Sequence, residues 1–220
     1  NTVAVMPFSY TGTNQQIQPL TRGLSQLVVT DLAKSRQIRV LERERMQAMV
    51  DEMQLSEENR ADPRSAVRSG RLLRAARVVQ GAIAERGDQL RVDAAVVDVG
   101  TAGVAAAAGT QDQLNRIFDL EKQLVLSIFN NLGIQLTDAE RSAIDQRPTA
   151  NIQAFLAWSQ GLEAEDRGDF ARAQQLFAQA QQLDPNFQAA AQSGAQASDL
   201  SAAATQSTGD VEATVAQNEA

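Results

Sequence analysis

Glu42 and Glu44 alternate with Arg43 and Arg45, and Asp51 and Glu52 follow within three helical turns, so these are the carboxylates whose spacing could support acid–base chemistry. The chain has no Cys and no His, which removes thiolate nucleophiles, imidazole bases, disulfides and nearly every zinc site. No nucleophile, base or metal partner accompanies the Glu42/Glu44 pair. A charged helix start, with acids near the positive end of the dipole, accounts for it. Neither G-x-G-x-x-G nor G-x-x-x-x-G-K-[ST] occurs, so nucleotide binding has no support. The expected catalytic, cofactor and metal sites are therefore none, and the protein is expected not to be an enzyme.

Arg64, Arg68, Arg71 and Arg74 fall three or four apart, a spacing that gathers them on one side of a helix. Such a face is either a dock for an anionic surface or a solvated surface paired with neighbouring acids. Met46, Met49 and Met53 stripe the preceding helix and read as core, although methionine also adapts readily to partners.

The 220 residues are 43% hydrophobic and 4% aromatic, enough for a real core and for one or two domains. Up to residue 110 there are 14 basic and 12 acidic residues, and after it 6 basic and 15 acidic. An acidic balance of this kind argues against a nucleic-acid partner, whose affinity would come largely from phosphate neutralisation. No apolar run approaches the length of a membrane-spanning helix. The chain opens at Asn1 without a charged-then-apolar leader, which leads us to expect an upstream segment, and any lipid-bearing cysteine, to lie before it.

The pattern that must position these residues starts with a short apolar run, Thr2 to Met6, ended by Pro7 and read as a buried strand. Leu20, Leu24, Leu27, Val28 and Leu32 then follow at helical spacing. Ile38 to Leu41 gives a second strand, and two helices follow, one carrying the methionines and one running from Arg64 to Leu73. The alternation predicts parallel pairing with crossover helices. Val78 to Glu85 and Leu90 to Asp98 alternate as β strands about a Gly87-Asp88 turn, with a third strand near Val104 to Gly109. Leu114 to Leu132 reads as the longest helix, capped by Gly133, and Thr137 to Glu140 as a capping box.

The predicted fold class is an α/β three-layer domain, its mixed sheet made of two parallel crossover strands and then an antiparallel meander. An all-α helical hairpin and a flexible tail follow it. The expected boundaries are 1–135 for the α/β domain, 136–150 for a linker with a short helix, 151–200 for the hairpin with a capping helix, and 201–220 for a flexible acidic tail. The tail prediction rests on its Ala, Ser, Thr, Gln and acidic composition, without Lys or Arg.

Residues Ile152 to Phe187 resemble a single tetratricopeptide repeat. Gly161 and Ala173 stand where its two helices cross, Gly168-Asp169-Phe170 makes the turn, Phe177 and Ala180 continue the buried face, and Asp184-Pro185 stops the second helix. Ala157, Gln160 and Ala164 depart from the repeat's usual large residues, with Trp158 one place away. An isolated repeat exposes an apolar face, so the hairpin is expected to be covered by the first domain or a partner. Phe155, Trp158, Leu162 and Phe170, with Arg64, Arg68 and Arg71, are the expected partner-binding residues.

Residues 2 to 135 resemble the periplasmic domain of the curli-secretion lipoprotein (CsgG-type) family and the related TolB-like N-terminal domain. The resemblance is carried by Val3-Ala4-Val5-Met6-Pro7-Phe8, Gly23-Leu24 to Leu32, Val40 to Met46 with Asp51-Glu52, Ala76 to Gly81 with Arg86-Gly87, and Val97 to Gly103. It implies a non-enzymatic interaction and scaffold subunit of the bacterial envelope, in the periplasm and peripheral to a membrane. Such a subunit would take a protein partner from a membrane-associated complex, with no cofactor, no nucleic acid and no membrane span of its own. The connections Leu55 to Arg64 and Val99 to Gly103 are too short for the membrane hairpins of a secretion channel, so the pore itself is not expected. A periplasmic peptide- or solute-binding module is the alternative. An enzyme built on carboxylates comes third and requires a close, buried Asp or Glu pair.

Overall fold

The computed structural model describes residues 2–53, 63–87 and 89–218, which divide into two units, Asn1–Arg147 and Pro148–Ala220. The Asp88 half of the Gly87-Asp88 turn and most of the Leu55 to Arg64 connection lie outside the described residues.

The first unit is built on one mixed sheet. Its strands are β1 (Thr2–Val5), β2 (Ser9–Thr11), β3 (Arg39–Val40), β4 (Arg77–Arg86), β5 (Gln89–Asp98) and β6 (Gly103–Gln113). They lie in the order β3-β1-β4-β5-β6, with β2 beside β4. β3, β1 and β4 are parallel, and β4, β5 and β6 form the antiparallel meander. The parallel and antiparallel halves are those the sequence predicts, with β2 as an addition.

β2 exists because Pro7 cannot donate to a ladder. Val5 pairs with Val79 and Ser9 with Ala82, so β1 and β2 follow the same side of β4 with one excess residue between them. Met6 N still donates to Val79 O at 2.8 Å, while Phe8 N turns away from the sheet to Ser25 Oγ at 2.9 Å. The interruption thus fastens the strand to the helix above it.

That helix is α1 (Leu20–Leu32), and it is followed by α2 (Arg43–Glu52), α3 (Pro63–Leu72), α4 (Ile117–Asn131) and a short α5 (Asp138–Ile144). Strand alternation sorts them into layers. Phe8, bonded to Ser25 of α1, lies over Gly81, where a Cβ would stand 2.4 Å from its ring. Thr110 of β6 donates to Gln123 of α4 at 2.9 Å, and its register through Val92 to Ile83 puts it on the same face as Gly81. On the opposite face Ala4, Met6, Val78 and Val97 form a core with Met46 of α2 and Ala66 and Val67 of α3. Gly70 of α3 is tight enough that a Cβ would reach Val99 and Val78. Helices on both faces make the three layers.

The helix ends follow the sequence signals. Gly133 (φ +69°) closes α4 with Ile134 N donating to Phe129 O and Gly133 N to Asn130 O. Thr137 and Glu140 form the capping box of α5. Helix α3 stops at Leu72, and Arg74 takes the left-handed conformation (φ +55°) while Ala75 N closes onto Gly70 O. Arg74 therefore lies outside the helix that carries the other three arginines. Helix α5 belongs to the first unit rather than to a free linker. Lys34 Nζ donates to Ala143 O at 2.7 Å, Gln37 Nε2 donates to Gln135 O at 2.7 Å, and Ile144 is fully buried.

The second unit contains α6 (Ile152–Asp166), α7 (Phe170–Leu183) and α8 (Gln188–Asn218). α8, not α4, is the longest helix. Its backbone runs through the region where the composition predicts a flexible tail, in line with the helix preference of its Ala and Gln residues. Asn151 caps α6 by accepting from Gln153 N and Ala154 N, and its amide donates to Leu183 O at the far end of α7. Thr149 Oγ1 reaches Asp184 Oδ2 at 2.5 Å, so the hairpin's two open ends are tied together. At the turn Gly168 (φ +75°) closes α6, with Asp169 N donating to Ala164 O, and Asp169 caps α7.

The helices of the hairpin cross at Gly161, where a Cβ would stand 2.4 Å from the ring of the fully buried Phe177. Gly161→Ala is expected to destabilise this unit by about 1–3 kcal/mol through overpacking. Urea unfolding followed by the fluorescence of Trp158, the sole tryptophan, checks this, and an unchanged midpoint would contradict the tight crossing.

Candidate functional site

The sheet face under α2 and α3 is only partly covered. Alternate residues of β4, β5 and β6 share this face, and the core at Val78 and Val97 gives way along the strands to Gln80, Ala82, Asp93, Ala95 and Gly109. These residues floor a groove of about 370 Å³ with Pro63, the first residue of α3, on its wall. Arg91 Nε and Nη2 donate to the two Asp93 oxygens at 2.7 and 2.8 Å. Gly109 makes room for that pair, since a Cβ there would lie 2.3 Å from Asp93 Oδ1. Gln80 is buried and donates to Met6 Sδ at 3.8 Å. The groove offers small side chains and backbone for shape, with one neutralised ion pair and one amide for polar recognition.

Arg64, Arg68 and Arg71 lead away from Pro63 along α3 and are exposed, as is Leu72, at 58%. Val67, Ala66, Ser69 and Gly70 form the buried side of the same helix. The sequence-predicted basic face is therefore real for three of its four arginines, and it begins at the groove wall.

The apolar half of the expected partner site lies in the second unit. Phe155, Trp158 and Leu162 are buried, and Phe170 is half-buried. The Trp158 ring stands 5.7 Å from Phe155 and 5.4 Å from Phe187, and its Nε1 donates to Ser193 Oγ of α8 at 3.0 Å. Ala190 and Ala197 of α8 are also fully buried. The sequence leads us to expect the first domain or a partner over this face; Trp158 is covered instead from within the unit, by Phe187 and Ser193. The physical reason is α8, whose small side chains allow it to seat closely on Trp158.

Sequence reasoning missed a charged cluster between α1 and α4. Asp31, Glu121 and Lys122 are all buried. Lys122 Nζ pairs with Asp31 Oδ2 and stands 3.1 Å from Glu121 Oε2, while Lys34 Nζ takes the other Asp31 oxygen at 2.7 Å. Asp31 thus has a cation on each oxygen, whereas neither Glu121 oxygen completes a hydrogen bond of good geometry. Burial, then the Asp31 charge, pushes Glu121 up to about 8, against the pull of Lys122. Burial alone would lower Lys122, but Glu121 and Asp31 outweigh it and hold the ammonium above its usual range. The available signal was Glu121 itself, a charged residue on the apolar stripe of Ile117, Leu120, Leu124 and Ile128.

This is the close, buried carboxylate pair that a carboxylate enzyme requires. It does not line the groove, and Lys34 and Lys122 meet the Asp31 charge. Glu42, Asp51 and Glu52 are exposed, and Asp51 accepts from Gln47 Nε2 at 2.7 Å. Among the described residues there is no group of three or more acidic, His or Cys side chains able to hold a metal, and no helix long and apolar enough to cross a membrane.

Comparison with known proteins gives one family model. The curli production assembly/transport component CsgG matches residues 2–85, less than half of the chain. The match spans β1 to β4 but for its last residue, and therefore Pro63 and the rest of α3. The chain is also similar to several solved structures. One is the LpoB C-terminal domain from Salmonella enterica, at 11% identity over 51% of this chain and 82% of that one, TM-score 0.40. Another is TolB from Acinetobacter baumannii, at 18% identity over 60% and 28%, TM-score 0.41. A third is the lipoprotein GNA1162 from Neisseria meningitidis, at 13% identity over 62% and 99%, TM-score 0.44. At these scores they are partial likenesses and bring no function with them. No curated protein matches.

The buried cluster gives a pH dependence of known sign. An unfolded Glu121 titrates near 4.5 and the folded one near 8. Between those values the folded state holds a proton that the unfolded state has lost, so Glu121 weakens folding progressively as pH rises through the window. Glu121→Gln is expected to remove that part of the fall and to melt above the wild type near pH 8. Melting curves of both proteins at pH 5 to 8 measure this. A wild-type melting temperature that rises relative to the variant across the window would refute it.

Proposed function

We propose that this chain is a non-enzymatic protein-interaction subunit of the bacterial envelope, peripheral to a membrane, which docks onto a larger membrane-associated assembly. The observation that carries this reading is the arginine face of α3, where Arg64, Arg68 and Arg71 stand exposed on a helix whose other side is core. The family-model match, to a component of curli production assembly and transport, covers that helix and supports an envelope setting. Arg68 and Arg71 are exposed, so their guanidinium groups are accessible to an acidic surface on another protein.

The helical hairpin fits the same reading as a tetratricopeptide-type repeat. Its crossing at Gly161, its Gly168-Asp169 turn and its Asp184-Pro185 stop keep the repeat's spacing. With Trp158 and Phe155 enclosed, docking through this unit uses the outer polar surface of α6 and α7. The α/β domain then makes the charged contact.

A peptide- or solute-binding module is the second reading, and the groove over Ala82, Ala95 and Gly109 favours it. Thermal stabilisation by extended peptides, lost on filling the groove with Ala95→Phe, would move the assignment there.

The docking proposal is tested by a photo-crosslinking residue placed at Arg68 or Arg71 in cells. Adducts to a membrane-associated protein are expected, and Arg68→Glu with Arg64→Glu should cut adducts from position 71 by about tenfold or more, as charge reversal across an interface does. Unchanged melting of the variant would show that the fold is intact. Absence of adducts, or adducts indifferent to charge reversal, would overturn the proposal.

A further inference from the structure

The two edges of the sheet are built differently. β3, at one edge, is two residues long and too short to template another strand. β6, at the other, is an eleven-residue strand that pairs only with β5 among the described residues. On its outer side alternate backbone N–H and C=O groups have no strand partner among the described residues. Exposed edges are normally blunted by charge, proline or a bulge. From Gly103 to Gln111 this one has no charged residue and no proline, and its one irregularity lies near one end, opposite Val96 and Val97. Val104 on this strand is 51% exposed.

Beyond Arg116 and Asp119, which are paired with each other, the helix beside this edge continues the pattern. Gln123 of α4, bonded to Thr110, is exposed, as is Asn130, and Ser127 is half-exposed. None is charged. The chain carries a net charge of −7, so contact between two copies is opposed least where neither presents carboxylates. Depletion of charge also marks the centre of protein interfaces. An uncharged strand laid antiparallel to itself sets no like charges opposite one another, and a two-fold axis makes such a contact close on itself.

We infer that β6 is a self-association edge: it pairs antiparallel with β6 of a second copy, joining two six-stranded sheets into one. The inference is independent of the docking role assigned to α3, which lies on a different part of the domain.

Sedimentation equilibrium of the full chain is expected to show a species of twice the 23.7 kDa monomer mass. Amide exchange along β6 is expected to slow as concentration rises. The double substitution Val104→Lys with Gln111→Lys sets cations at both ends of the uncharged run. It should yield a monomer with the wild-type melting temperature. The chain has no cysteine, so a single spin label at V104C reads the inter-copy distance directly, and a short distance is expected. A wild-type chain that stays monomeric at every soluble concentration overturns the inference. So does a dimer that survives the double substitution, or one whose labels are too far apart for paired strands. Should the double variant not fold, the label distance decides.

Discussion

The α/β unit depends on β4, which is bonded along both sides. β5 pairs with it antiparallel from Arg77 to Arg86, and on the other side β1 and β2 pair with it in parallel. A strand in that position must be nearly continuous in hydrogen bonds, and the one defect allowed is the residue gained at Pro7. The defect is placed on the neighbour, so β4 keeps its ladder while Phe8 leaves the sheet and packs over Gly81. Gly81 is the residue in β4 that makes this possible, because any side chain there would occupy the ring's position.

Much of this was legible in the sequence because the signals were local. Pro7, Gly133, the Thr137 and Glu140 capping box and the alternation of Leu90, Val92, Ala94 and Val96 each act through their own backbone geometry. The arginine face was legible for the same reason up to Leu72. Arg74 fell off it because the helix end was set by closure of Ala75 onto Gly70, which no spacing rule for side chains contains. The groove was not legible at all. It depends on which residues of β4, β5 and β6 share a face beyond the core at Val78 and Val97, and that appears only once register is known.

The charged cluster shows the same limit from the opposite direction. Asp31 and Glu121 are ninety residues apart in sequence, and nothing in either neighbourhood predicts the other. Lys122 and Lys34 make the burial tolerable by giving Asp31 a cation on each oxygen, and Glu121 is left to take up a proton. Replacing such a cluster with well-packed apolar residues is often neutral or stabilising, so its contribution is better sought in how uniquely α1 and α4 are aligned than in strength. Removing Asp31 or Lys122 alone would leave a buried charge unmet, which is the costly case.

The hairpin changes where recognition can occur. An apolar face that looks unfinished in a single repeat is completed here by a third helix whose contact residues are Ala190, Ala197 and the Ser193 hydroxyl under Trp158. Small residues let helix backbones approach closely, and close approach encloses a large ring with few atoms. A helix can therefore look too weakly patterned to form a core and still seal one, since an amphipathic stripe is recognised by its large apolar side chains whereas packing depends on fit. With Trp158 enclosed, the large apolar side chains that the C-terminal unit still exposes among the described residues are Leu183 and Leu200, at 41% and 37%. Neither is a ring, so the hairpin's aromatic residues serve its own packing, while the α/β unit leaves the arginines of α3 and part of its sheet face uncovered.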